Sequence, residues 1–261
     1  MKLAKHLLIV SALVLGLATS AFAVDCPSPI ARIGSFDFLV DYSGSMMMRP
    51  GIGKMPKMEV AKRVLTRINQ QIPALSYSGA MHTFAPFGEL VAPGTYNRSA
   101  IQQGIDALST EEDIYGRLTP MGEGLYDIAP IINGMPGNQA LILVSDGRQN
   151  QGVNPVEEMT KLYTANPNLL VHIISFADTD EGKATLDAIH ALKGNGVYVE
   201  AKDLLTSDAA VDQFVRDVFY TCPIAATDDV LVLQSVQFAL NSAVLTPASK
   251  SILDEVADII N

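Results

Sequence analysis

From Ile33 onward, short apolar runs alternate with longer amphipathic stretches, and this alternation limits the fold more than any other feature of the chain. Strands covered on both faces read as continuous apolar runs, whereas helices lying on a sheet show an apolar stripe every three or four residues. The pattern predicts strands at 36–40, 79–84, 140–144, 169–176 and 196–199, with a short polar edge strand at 89–92. It predicts helices at 58–72, 120–132, 156–163, 182–192 and 209–220. In the first helix Val60, Val64, Leu65 and Ile68 share one face. The second has Pro120 in its first turn, behind Thr119 as a cap. Such alternation gives an α/β fold, a doubly wound and mostly parallel sheet. Asp37 stands out, because it is an acid within the otherwise apolar first strand.

Both ends of the chain depart from this pattern. Lys2, Lys5 and His6 precede an apolar run at 7–17, and Ala21-Phe22-Ala23 follows with small residues at the positions a signal peptidase reads. That run is shorter than the ~20 residues of a bilayer span. Residues 1–23 therefore read as a signal peptide, and the expected location is the periplasm or cell envelope. Val24-Asp25 before Cys26 do not form a lipobox. At the other end, 223–229 reads as a linker, followed by a strand-like run at 230–240 and one helix capped by Thr246 and Pro247. One strand and one helix cannot close a core, so 230–261 is expected to be an incomplete unit.

Composition excludes several functions. Lys and Arg total 18 against 28 Asp and Glu, a formal charge of −10, which repels nucleic-acid backbones. Two cysteines are too few for a zinc ribbon or a cysteine-ligated iron–sulfur cluster. His82 and His172 fall in strands and His190 on a helix, without ligand spacing. Gly51-Ile52-Gly53 follows no strand and lacks a third glycine, so it is no phosphate cradle.

The chemistry gathers at predicted strand ends. The first strand runs into Asp41-Tyr42-Ser43-Gly44-Ser45-Met46, and the strand at 140–144 runs into Ser145-Asp146-Gly147. Ligands bind at the carboxyl edge of open α/β sheets, where both segments would lie. Between them in sequence, Thr119 stands at a helix start. Singly, these residues also suit turns and caps. Together, and in this order, they resemble the metal-ion-dependent adhesion site of the von Willebrand factor type A family. The alternating pattern from about Gly34 to Thr221 covers that domain, whose expected bounds are 24–222.

The resemblance implies a sheet in the order 3-2-1-4-5-6, with its third strand antiparallel at the edge. It implies that Ser43, Ser45 and Thr119 ligate a divalent cation, while Asp41 and Asp146 hold its waters or one of them binds directly. Hard oxygen donors suit Mg²⁺, with Mn²⁺ or Ca²⁺ as alternatives. Neutral hydroxyls leave the ion's charge partly uncompensated, so the implied partner is a protein presenting Glu or Asp. Both aspartates are expected at a solvent-facing edge. Met46 would pack under the turn, with Met47 and Met48 as an apolar rim for the partner; Cu(I) held by thioethers is the alternative use of these methionines.

Cys26 lies shortly before the first strand and Cys222 directly after the last helix. Domain termini commonly lie close together, and secreted members of the resembled family pair cysteines at these places. A disulfide between them is therefore expected in an oxidising compartment. The tail, with Ser235-Val236-Gln237-Phe238 and Asn241 to Pro247, resembles the opening of an OmpA-like peptidoglycan-binding domain. The diaminopimelate-binding residues of that family have no counterpart here, so peptidoglycan binding would require a complete domain. The function implied is a cell-envelope protein-binding module rather than an enzyme. The alternatives are a metal-dependent hydrolase using the same cation, and a structural envelope protein with a vestigial site.

Overall fold

The central strand explains the architecture. All seven residues of β2 (Ser35–Asp41) are buried, because both faces and both edges of this strand are covered. The computed structural model describes residues 26, 28–48, 53–110, 116–223, 250 and 253. The predicted leader, residues 224–229 of the linker and almost all of the OmpA-like segment lie outside these residues.

On one edge β2 pairs in parallel with β3 (Ser78–Phe84), so that Asp41 faces Phe84; on the other it pairs in parallel with β5 (Gln139–Ser145). β6 (Leu170–Ser175) and β7 (Tyr198–Glu200) extend the sheet in parallel beyond β5. β4 (Gly88–Thr95) closes the opposite edge antiparallel to β3. The order β4-β3-β2-β5-β6-β7 is the expected 3-2-1-4-5-6 when the six strands are counted along the chain.

Alternate residues of β2 serve two cores. Phe36, Phe38 and Val40 face the layer of α1 (Lys57–Gln71), α2 (Arg98–Ala107), α6 (Ala201–Thr206) and α7 (Asp208–Phe219). Phe36 packs edge-on against Phe38, Tyr96 and Phe219, with ring centroids 5.1–5.4 Å apart. Leu39 faces the other layer, α3 (Met121–Gly134), α4 (Pro155–Ala165) and α5 (Asp180–Ala191). Asp37 points to this second side and belongs to the strand after all. Its Oδ2 shares a 2.7 Å hydrogen bond with Nδ1 of His82, which is equally buried and stacks on Phe87. Two residues that looked unrelated in sequence are one interior pair.

Two helices have no counterpart in the sequence-based expectation. α2 offers only Ile101 and Ile105 as buried large apolar residues, and Gly104 lets it approach the sheet where a Cβ would lie 2.9 Å from Val91. Its one local signal is Asn97, whose side chain accepts the Ala100 N–H as an N-cap. α6 is only six residues long. The last helix also ends at Phe219 rather than Tyr220, because β8 (Tyr220–Thr221) pairs antiparallel with β1 (Ile30–Ala31). This small ladder brings the ends of the domain together, and Cys26 and Cys222 are joined as a disulfide with Cα atoms 5.5 Å apart.

Candidate metal centre

The parallel pairing of β2 with β5 sets Asp41 and Asp146 at the same carboxyl edge. Asp41 Oδ1 accepts the Ser43 N–H at 3.0 Å, which folds the chain back over its own strand end. A short 3-10 helix over Gly44–Met47 follows, fully buried, and brings Ser43 Oγ to 2.9 Å from Ser45 Oγ. Gly44 donates its N–H to the Arg117 carbonyl at 3.0 Å, and a Cβ there would meet Gly116 N at 2.5 Å. Only glycine permits this approach, and it anchors the segment that carries Thr119 beside the serine turn.

The same segment is also tied to the loop after β5. Thr119 donates its N–H to Asn150 Oδ1 at 2.8 Å, and the Asn150 N–H returns to the Thr119 carbonyl. Gln149 Oε1 accepts the Gly122 N–H at the start of α3. Thr119 is therefore not the helix cap that the sequence suggested: α3 begins at Met121, and its N-terminal donor is served by Gln149. The Thr119 hydroxyl is buried and has no hydrogen-bond partner among the described residues.

All five expected ligands are thus buried, Asp41 and Asp146 completely. This corrects the expectation of two solvent-facing carboxylates. Burial, and after it the negative charge of Asp146, push the Asp41 carboxyl up to about 7. Hydrogen bonds from Ser43 and Ser145 act in the opposite direction. The rim is also revised. Met46 and Met47 both pack into the core, while Met48 is half-buried with its sulfur 3.6 Å from Arg148 Nη1.

Four residues outside the expected ligand set complete the surroundings. Ser145 donates its hydroxyl to Asp41 Oδ2 at 2.7 Å and accepts the Gly147 N–H. Lys57, the first residue of α1, is 1% exposed and places Nζ 2.7 Å from Asp146 Oδ2 and 2.8 Å from Asp178 Oδ1. Arg148 donates to the same Asp178 oxygen at 2.8 Å. Lys57 and Arg148 together hold the Asp178 carboxyl below the usual range, against its partial burial. Asp178 was findable, since it follows a strand at the same sheet edge. Lys57 was not, because a lysine at a helix start carries no signal of burial.

The donor set fits a hard divalent cation. Among the described residues no group of three or more His, Cys, Asp or Glu side chains is placed to hold a metal, so any ion here would depend on the hydroxyls. Two buried carboxylates and an unpartnered hydroxyl at one edge are what such an ion would satisfy.

No protein-family profile matches this chain, and no curated protein matches it. Solved structures do share its fold. A conserved hypothetical protein, BatB from Bacteroides thetaiotaomicron, is 17% identical over 70% of this chain and 96% of that one, with TM-score 0.55. The manganese-loaded TRAP protein of Plasmodium vivax is 16% identical over 75% of this chain and 80% of that one, with TM-score 0.53. Proximal thread matrix protein 1 of the mussel byssus, solved with zinc in its MIDAS motif, is 17% identical over 69% and 47%, with TM-score 0.52. The fold is that of a von Willebrand factor type A domain.

Proposed function

We propose that this chain is an exported cell-envelope module that binds a protein partner through a divalent cation held by Asp41, Ser43, Ser45, Thr119 and Asp146. The observation that carries the reading is the Thr119 hydroxyl, buried without a partner among the described residues on a segment that Gly44 and Asn150 tie to the loops following the strands that end at Asp41 and Ser145. A native interior rarely leaves such an atom unsatisfied unless a water or ion completes it. Structures sharing the fold hold manganese in one case and zinc in a MIDAS motif in another, which supports a divalent ion here. Mg²⁺ is the ion we assign, on the hardness of the oxygen donors.

The chain's own residues divide the work. Ser43 and Ser45 present hydroxyl oxygens from the buried turn, and Thr119 presents a third from the segment pinned by Gly44 and Asn150. Asp41 and Asp146 supply negative charge, oriented by Ser145 and by the Arg148 N–H. When bound, the cation would supply an incompletely neutralised positive charge that accepts a Glu or Asp carboxylate from the partner. Export is supported by the leader pattern at 1–23 and by the Cys26–Cys222 disulfide, which suits an oxidising compartment. No helix among the described residues is long and apolar enough to cross a membrane.

Calorimetry with Mg²⁺ tests the centre, and capture of envelope proteins in Mg²⁺ or EDTA tests its use. One bound ion, lost in Ser45→Ala, together with EDTA-sensitive capture of a partner whose acidic side chain is required, is the expected result. Partner capture indifferent to both EDTA and Ser45→Ala would overturn the reading.

A further inference from the structure

The buried ammonium of Lys57 is the least expected group beside the centre. It stands at the first position of α1, where the unpaired backbone N–H groups already present positive charge and a cation is disfavoured. It is also almost completely withdrawn from water, which is costly for an unpaired charge. Two carboxylates compensate, Asp146 at 2.7 Å and Asp178 at 2.8 Å. One of these is an aspartate that the proposed cation needs. The other is shared with Arg148.

We infer that Lys57 is a resident counter-cation that competes with the divalent ion for Asp146 and thereby sets the affinity of the centre. The inference rests on the metal-centre reading. In the metal-free protein the ammonium partly neutralises the facing carboxylates, so the centre holds its shape without an ion. When an ion enters, a fixed positive charge stays close to it and lowers its affinity. The same charge offsets that of Asp146, which leaves the ion less neutralised and a stronger acceptor for a carboxylate from outside. Asp178 moderates the competition by drawing Lys57 and Arg148 partly away from Asp146, whose Oδ2 lies 3.7 Å from Arg148 Nε.

The two neighbours therefore push affinity in opposite directions. Lys57→Met keeps the stem and removes the charge. It should tighten Mn²⁺ binding tenfold or more in calorimetry, while lowering the melting temperature of the EDTA-treated protein. Asp178→Asn removes the competing anion, returns both cations to Asp146, and should weaken Mn²⁺ binding several-fold. A purely architectural lysine would give the reverse for Lys57→Met, since a misplaced Asp146 binds the ion less well. Unchanged or weaker Mn²⁺ binding in Lys57→Met overturns the inference. If that variant does not fold, unchanged or tighter binding in Asp178→Asn overturns it instead. The wild-type isotherm and Ser45→Ala separate the two levels. Wild-type binding that is lost in Ser45→Ala keeps the centre even where Lys57 fails, and no wild-type binding of Mn²⁺ removes both.

Discussion

Asp41 and Ser145 join the ends of two neighbouring strands side chain to side chain, the hydroxyl donating to the carboxylate at 2.7 Å. Backbone pairing brings β2 and β5 together only in register, so this bond on Oδ2, with the Ser43 N–H on Oδ1, orients the carboxylate at the edge. Ser145→Ala leaves a buried Asp41 oxygen without its donor and the Gly147 N–H without its acceptor. We expect a loss of about 1–3 kcal/mol in urea unfolding, with several-fold weaker Mg²⁺ binding. Wild-type values for both would mean that the bond orients nothing.

Thr119→Val separates binding from folding. The hydroxyl has no partner among the described residues, so the isosteric valine removes a buried polar atom and breaks no bond. Stability in EDTA should be unchanged or slightly higher, while Mg²⁺ affinity should fall about tenfold, or about 1.4 kcal/mol. Equal affinity in the two proteins would show that Thr119 contributes no ligand.

His172 should make the domain acid-sensitive. Burial, then the charges of Arg32 and His190, lower its pKa from 6.5 to about 3. Its Nδ1 accepts the Val197 N–H at 3.0 Å, which requires the neutral ring. Below pH 6.5 the unfolded chain takes up a proton that the folded chain refuses. The stability contributed by neutral His172 is therefore complete above 6.5 and is lost as pH falls toward about 3, at up to about 1.4 kcal/mol per pH unit. Asparagine can still accept from Val197 but does not titrate there. The stability of His172→Asn should vary less steeply than wild type between those pH values in urea titrations. Parallel curves would exclude His172 as the source.

The Cys26–Cys222 bridge closes a separation of 196 residues. A loop of that size corresponds to about 5 kcal/mol in the chain-entropy account, an upper figure. Cys222→Ser should lower stability by about 2–5 kcal/mol without weakening Mg²⁺ binding, because the bridge lies by the β1–β8 ladder and not at the edge that carries Asp41. Intact-mass analysis of the unreduced protein after alkylation should find no labelled cysteine. Two labels per chain would show that the clasp is absent.

Asp37 and His82 show where reading the sequence stopped. Each was visible, one as an acid in an apolar strand and the other as a histidine without ligand spacing. Their meaning lay in a register that places β2 beside β3 with both side chains on one face. Helix α2 was missed for a related reason. Its apolar stripe is short, and its packing depends on the absence of a side chain at Gly104.

By itself, the sequence determined the alternation of strands and helices and the edge at which the polar residues gather. These follow from local periodicity and from which residue types end strands, and both properties are written along the chain. Only the tertiary structure decided that Asp41 and Asp146 are buried, that the Thr119 hydroxyl is spared from capping by Gln149, that Met47 turns inward, and that Lys57 lies against Asp146. Each of these depends on what another segment places within about 3 Å of a given atom. Hydrogen bonds form only over that range, and the spacing of residues along a chain does not encode it.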